Sequence, residues 1–135
     1  MADHPDVELV RGVYEALSGG ELDRVGRLFA EDVVWHVGGE SQLSGDHNGR
    51  EQVLRFLAKL VEGSGGSLRL DLHDVVGNDR HVVALGTASG QAPDGETLEW
   101  RFVHVFHVEA GEAKEVWGFE ENAADADAFL SKLPS

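Results

Sequence analysis

Seven histidines, one tyrosine and no cysteine define the chemistry open to this chain of 135 residues. Without thiols there is no disulfide, no thiolate nucleophile and no cysteine-held zinc or iron–sulfur centre. Imidazole remains, and an ordinary pKa of about 6.5 lets it take and return a proton near neutrality. His104 and His107 stand three apart in a strand-like run, so they point to opposite faces and make no metal pair. No tight ligand spacing links the other histidines, and neither a metal nor a cofactor is expected. His4 and His47 lie in polar stretches, His81 follows a turn, and His73 shares a strand face with Arg69 and Asp71. His36 and Tyr14 are the candidates for chemistry. The tyrosine hydroxyl can donate a hydrogen bond into a pocket or sit at an interface in water. His36 can be a proton carrier, or a core or dimer-face ring bonded to a carbonyl. The stretch Gly38-Gly39 through Gly45 to Gly49 lacks the Gly-Lys-Ser/Thr ending of a phosphate cradle.

The charge balance narrows the partners. Eleven basic residues stand against 25 acidic ones, for a net charge of −14. Such a surface repels phosphate backbones and anionic membranes, so neither nucleic acid nor a membrane is an expected partner. The acidity favours a neutral or cationic substrate over an anionic one. No apolar run reaches the ~20 residues of a membrane span, and the start MADHPDVE lacks the pattern of a signal peptide. One cytoplasmic domain over residues 1–135 is the expectation.

The positioning elements are read from period. Val7, Val10, Val13, Tyr14 and Leu17 recur at helical spacing, with Asp3 as cap, Pro5 in the first turn and Gly19-Gly20 as the stop. A second helix is expected from about Glu21 to Ala30, and a strand from Asp32 to Val37. Asn48 and Glu51 resemble a capping box that opens a third helix with the stripe Val53, Leu54, Leu57, Leu60 and Val61. Beyond Gly66 the period falls to two. Leu68, Leu70 and Leu72 alternate with polar residues, and strands follow over 81–91, 97–108 and 114–119, joined by turns. Three consecutive hairpins make an antiparallel meander, and Ala124 to Leu130 offers a last helical turn or two. The fold class is α+β, with three N-terminal helices on the concave face of a cone-shaped curved antiparallel sheet. Such a layer encloses a small-molecule cavity.

The segments Glu31–Gly39, Leu43-Ser44-Gly45, Asn48–Val53, Val103–Val108, Gly111 and Val116-Trp117 carry a resemblance. Along its whole length the chain resembles the SnoaL-like, ketosteroid-isomerase-related branch of the nuclear transport factor 2-like superfold. That superfold hosts isomerases, cyclases, epoxide hydrolases, dehydratases and non-catalytic binders. The resemblance places His36 where ketosteroid isomerases carry their proton-shuttling carboxylate, and Val103 where they carry an acid. Limonene-epoxide-hydrolase-like members keep Arg-x-Asp on that strand; here Arg101 is followed by Val103, so the water-activating carboxylate is missing. SnoaL-type cyclases use an acidic residue as acid and base, a role open to Glu120 or Glu121.

The functional expectation is a cofactor-independent cyclase or isomerase acting on a hydrophobic, carbonyl-bearing substrate of polyketide or steroid type. His36 would take the proton, Tyr14 or His107 would meet the enolate oxygen, and Trp35, Phe56, Arg101, Trp117, Phe119 and Glu121 would hold the substrate. Trp35 and Trp117 can equally be core residues. The alternative is a binding or assembly protein that kept the pocket and lost the acid, as Val103 suggests. If position 103 faces the cavity, Arg101, Val105 and His107 face it too. Trp100, Phe102, His104 and Phe106 then form an outer face covered by a second subunit, and the opposite phase puts Trp100 and His104 in the pocket. A homodimer through the outer sheet face is expected.

Overall fold

The residues at helical spacing bury one face, as amphipathic helices do. The computed structural model describes residues 4–121 and 123–133. Helix α1 (Pro5–Ser18) buries Val7, Val10, Val13, Tyr14 and Leu17. Asp6 and Glu8 complement the positive end of its dipole. Its cap is His4, whose Nδ1 accepts from the Asp6 N–H at 3.1 Å; the expected cap Asp3 lies outside the described residues. Helix α2 (Leu22–Leu28) stops earlier than expected, because Phe29 and Ala30 are already buried in strand β1 (Phe29–Val37). Strand β2 (Gly45–Asn48) forms inside the glycine-rich stretch as an edge strand. Its residues are polar or glycine, so no apolar alternation announces it. Helix α3 (Arg50–Gly63) opens from Gly49, not from an Asn48–Glu51 box. Asn48 is held in β2 opposite Val34, and its N–H is met by Gln52 Oε1 at 3.1 Å. Gly49 turns the chain from strand to helix at φ 89°, which a side chain rarely tolerates.

The meander is β3 (Arg69–Gly77), β4 (His81–Gln91), β5 (Thr97–Glu109) and β6 (Glu112–Glu120), closed by helix α4 (Ala123–Ser131). The sheet order is β2-β1-β6-β5-β4-β3. All pairs are antiparallel except β1 with β6, which is parallel. Register shifts in β1/β6, β3/β4 and β5/β6 bend the sheet. The first three helices cover its concave face, as the fold class predicts, and α4 adds a fourth against β5. Among the described residues, no helix is long and apolar enough to cross a membrane.

Strand phase is where the expectation anchored on position 103 fails. Phe102 and Phe106 are buried against the helices, and Trp100 and His104 share their face. Arg101, Val103, Val105 and His107 occupy the outer face. Both sets contain apolar residues, so alternation alone does not choose between them. Size does: the larger rings remove more apolar surface from water when placed under the helices. The same phase carries into β6, where Val116, Gly118 and Glu120 face inward opposite Phe106, His104 and Phe102.

Candidate functional site

Small residues make the hollow. On the inner face Ala88 stands opposite Trp100, Gly86 opposite Phe102 and Gly118 opposite His104. A Cβ on Gly86 would lie 2.7 Å from the Phe102 ring, so only glycine leaves that ring its place. The cavity is walled by Trp35, Phe56, Trp100, Phe102, His104 and Glu120. It opens about 60 Å³ to the centres of water-sized molecules, several times the ~10–15 Å³ that one water needs. Aromatic walls and a few polar groups characterise a small-molecule site.

Glu120 is the polar group that demands a reason. Among the described residues its buried Oε2 has no hydrogen-bond partner, a state that costs ~1–3 kcal/mol or more for a charged group. Burial pushes its pKa up to about 7, the Asp127 carboxylate adds to that, and a hydrogen bond from Trp100 opposes it. The carboxyl therefore exchanges protons near neutrality, which general acid–base chemistry requires.

His104 faces the same space. The residue is half-buried and lines the cavity, and burial pulls its pKa down to about 3. The imidazole is neutral. Tyr14 Oη lies 2.5 Å from His104 Nδ1, and burial raises the phenol pKa, so the hydroxyl keeps its proton. Among the described residues Nδ1 is the acceptor for that proton, which assigns the ring proton to Nε2. Gly118 leaves this edge uncovered: a methyl there would sit 3.4 Å from Cδ2 and 3.6 Å from Nε2. Phe102 stacks on the ring at 4.4 Å and Trp35 meets it edge-on at 5.6 Å, which fixes its plane. The site thus pairs a carboxyl that titrates near pH 7 with a neutral N–H donor.

Comparison with known proteins agrees with this architecture. Residues 10–116 match the SnoaL-like domain family. The chain belongs to the SnoaL-like family. The uncharacterized protein Rv0034 of Mycobacterium tuberculosis is 28% identical over 130 residues, covering 96% of this chain and 98% of that protein. Bal32a, from a soil-derived mobile gene cassette, superposes with a TM-score of 0.89 at 25% identity, covering 93% of this chain and 96% of its own. A Xanthomonas campestris protein of unknown function with a cystatin-like fold reaches 0.85 at 30% identity, covering 92% and 96%. The fold is nuclear transport factor 2-like, as in an NTF2-like protein from Burkholderia xenovorans.

In this SnoaL-like protein only part of the sequence-derived site converges. Trp35 and Phe56 wall the cavity, and Tyr14 reaches it through His104. His36 does not enter it. Trp35 points inward, so the next residue points outward. There His36 bonds Asp46 Oδ1 at 2.6 Å and Glu115 Oε2 at 2.5 Å and stacks on Trp117 at 5.8 Å. His107 is also outside, with Nδ1 3.1 Å from the Arg80 carbonyl and Nε2 3.4 Å from Glu109. Trp117 and Phe119 belong to the outer face by the same alternation. Arg101 and Glu121 pair with each other at 3.6 Å there, beside Phe119 in a surface groove. Trp100 and His104 belong to the opposite phase, which the sequence left open and the structure adopts, and Glu120 was not separated from Glu121. Alternation from Phe106 and Val116 carries the signal that separates them.

Proposed function

We propose that this cavity performs proton transfer on a small, hydrophobic, enolisable carbonyl compound, with Glu120 as acid and base. The observation that supports this reading is the unpartnered buried oxygen of Glu120 in an aromatic cavity that also holds a neutral histidine donor. Ionised Glu120 takes a proton from the carbon beside the carbonyl. The C–H electron pair moves into a C–C double bond and the carbonyl pair moves to oxygen. His104 Nε2–H donates to that oxygen, and Tyr14 holds the tautomer that makes this possible. A neutral imidazole can act as such an electrophile, and one well-placed donor is worth ~3–4 kcal/mol. Glu120 then returns the proton to another carbon, which is isomerisation. In a cyclase the enolate carbon attacks a second carbonyl of the same molecule, a C–C bond forms, and Glu120 protonates the new alkoxide. The atoms balance without a cofactor.

The test is deuterium incorporation beside the carbonyl of 2-tetralone in D₂O, followed by NMR. The protein should exceed the buffer rate, and Glu120→Gln should return exchange to that rate with the fold unchanged. Equal exchange by parent and variant sinks the assignment. Ligand affinity without any exchange would instead favour a binding-only protein, the second reading. Its original support, Val103 at an acid position, is gone because Val103 faces outward.

A further inference from the structure

Gly118 stands mid-strand on the inward face of β6. Glycine weakens a strand there, because it adds freedom to the unfolded chain and has no side chain to pack. The fold does not call for it. Its φ lies outside the left-handed region, unlike that of Gly45 in β2. A Cβ on Gly77 or Gly86 would meet a backbone carbonyl oxygen at 3.1 or 2.7 Å. A Cβ on Gly118 would meet ordinary contacts: His104 Cδ2 at 3.4 Å, the His36 carbonyl at 3.5 Å and His104 Nε2 at 3.6 Å. Alanine therefore fits. What the missing methyl leaves is a notch in the cavity wall, directly across the strand pair from His104 and beside the ring edge that carries the Nε2 proton.

We propose that Gly118 is a specificity-determining residue whose notch seats the carbonyl oxygen of the substrate against the His104 Nε2–H. This deepens the proton-transfer reading and rests on it for the role of Glu120. Glu120 lies two residues on along the same face of β6 and pairs with Phe102. Positions 104 and 120 are thus diagonal neighbours, ~7–8 Å apart in an antiparallel pair. A hydrogen bond of about 3 Å at the oxygen and a proton-transfer contact of about 3 Å at the neighbouring carbon fit that span, with the carbonyl unit between them. The rest of the molecule lies against Trp35, Phe56, Trp100 and Phe102. A notch one methyl group deep accepts a bare oxygen and not a branched end group. A carboxylate is disfavoured further, because it would bring a second negative charge beside Glu120 where no Lys or Arg lines the cavity among the described residues. The substrate class is accordingly a ketone or aldehyde on an apolar frame, not a carboxylic acid.

The experiment compares the parent with Gly118→Ala. The thermal midpoint should stay level or rise, since alanine improves the strand. In 2-tetralone exchange, kcat should fall roughly 10–100-fold while KM changes by less than about twofold, because the aromatic walls still bind the frame and the oxygen is held off its donor. 2-Naphthol, which has the oxygen and ring plan of the 2-tetralone enol, should shift the His104 Nε2 nitrogen resonance in the parent. In Gly118→Ala it should still bind and leave that resonance in place. A destabilised variant would show that the fold needs the glycine, and a parental kcat with a parental resonance shift would seat the oxygen elsewhere; either result overturns the proposal. Loss of all 2-naphthol binding overturns it too, since the methyl would then act by filling the cavity. If the parent shows the resonance shift without exchange, the notch stands and Glu120 loses its chemical role. If exchange needs Glu120 yet ignores Gly118→Ala, the notch falls and the acid–base reading survives.

Discussion

At the scale of single residues, the cavity stores opposite pH dependences in two neighbours. Glu120 holds its proton more tightly folded than unfolded, with a pKa raised from 4.5 to about 7. Its contribution is full below 4.5 and is lost as pH climbs through 7. His104 is the reverse: its pKa falls from 6.5 to about 3, so its contribution is full above 6.5 and is lost as pH drops toward 3. Between 4.5 and 6.5 the two slopes oppose each other. Glu120→Gln copies the protonated state and keeps an oxygen for the Trp100 N–H. It should match the parent near pH 4.5 and exceed it at pH 8 by roughly 1–3 kcal/mol, allowing for solvent in the cavity. Thermal midpoints measured across pH check this. The variant should rise more steeply than the parent from pH 4.5 to 6.5, where the parent's two slopes oppose each other, and a variant no more stable at pH 8 would show that burial of Glu120 carries no penalty.

Elements differ in how openly the sequence displays them. Helices α1 and α3 and the meander β3–β6 were legible, because each has an apolar period that only one secondary structure satisfies. Strand β2 was not, since Gly45, Asp46 and Asn48 are exposed and contribute pairing rather than burial. The site was half legible: Trp35, Phe56 and Tyr14 stood out as large residues on identified elements, whereas His104 and Glu120 depended on a strand phase that two apolar faces left ambiguous. His36 illustrates the consequence. Its ring joins three strands, bonded to Asp46 on β2 and Glu115 on β6 from its place on β1. Hydrogen bonds to Glu115 and then Asp46 raise its pKa, against a smaller opposing effect of burial. Its stabilisation is therefore full below 6.5 and is lost as pH rises through the raised value. The ring is 30% exposed and Asp46 59%, so the pair contributes only about 0.5–1 kcal/mol. His36→Gln should lower the thermal midpoint at pH 6 and leave it unchanged at pH 9, with faster amide exchange confined to β2 and the adjoining 38–44 loop. Equal losses at both pH values would mean that the ring acts by packing on Trp117 and not by charge.

On the scale of the whole molecule, the outer sheet face is the surface left to explain. Phe119, Val76 and Leu85 are 56%, 50% and 37% exposed there, and half-buried Val83, Val103, Val105 and Trp117 connect them across four strands. Isolated exposed apolar residues are ordinary, but a contiguous patch marks an interface. A second copy is the proposed cover, because two-fold pairing sets this patch against itself and lets the rim residues Arg101 and Glu121 exchange partners between subunits. Their present pairing at 3.6 Å, with side chains 68% and 66% exposed, is loose enough to be exchanged. The net charge of −14 opposes association, so added salt should tighten the dimer by screening the repulsion. Sedimentation velocity at micromolar protein should show a dimer that strengthens from low to moderate salt, and Phe119→Glu should yield a folded monomer. A parent that sediments as a monomer under all these conditions would remove self-association as the reason for the patch. A dimer indifferent to Phe119→Glu would place the interface on another face.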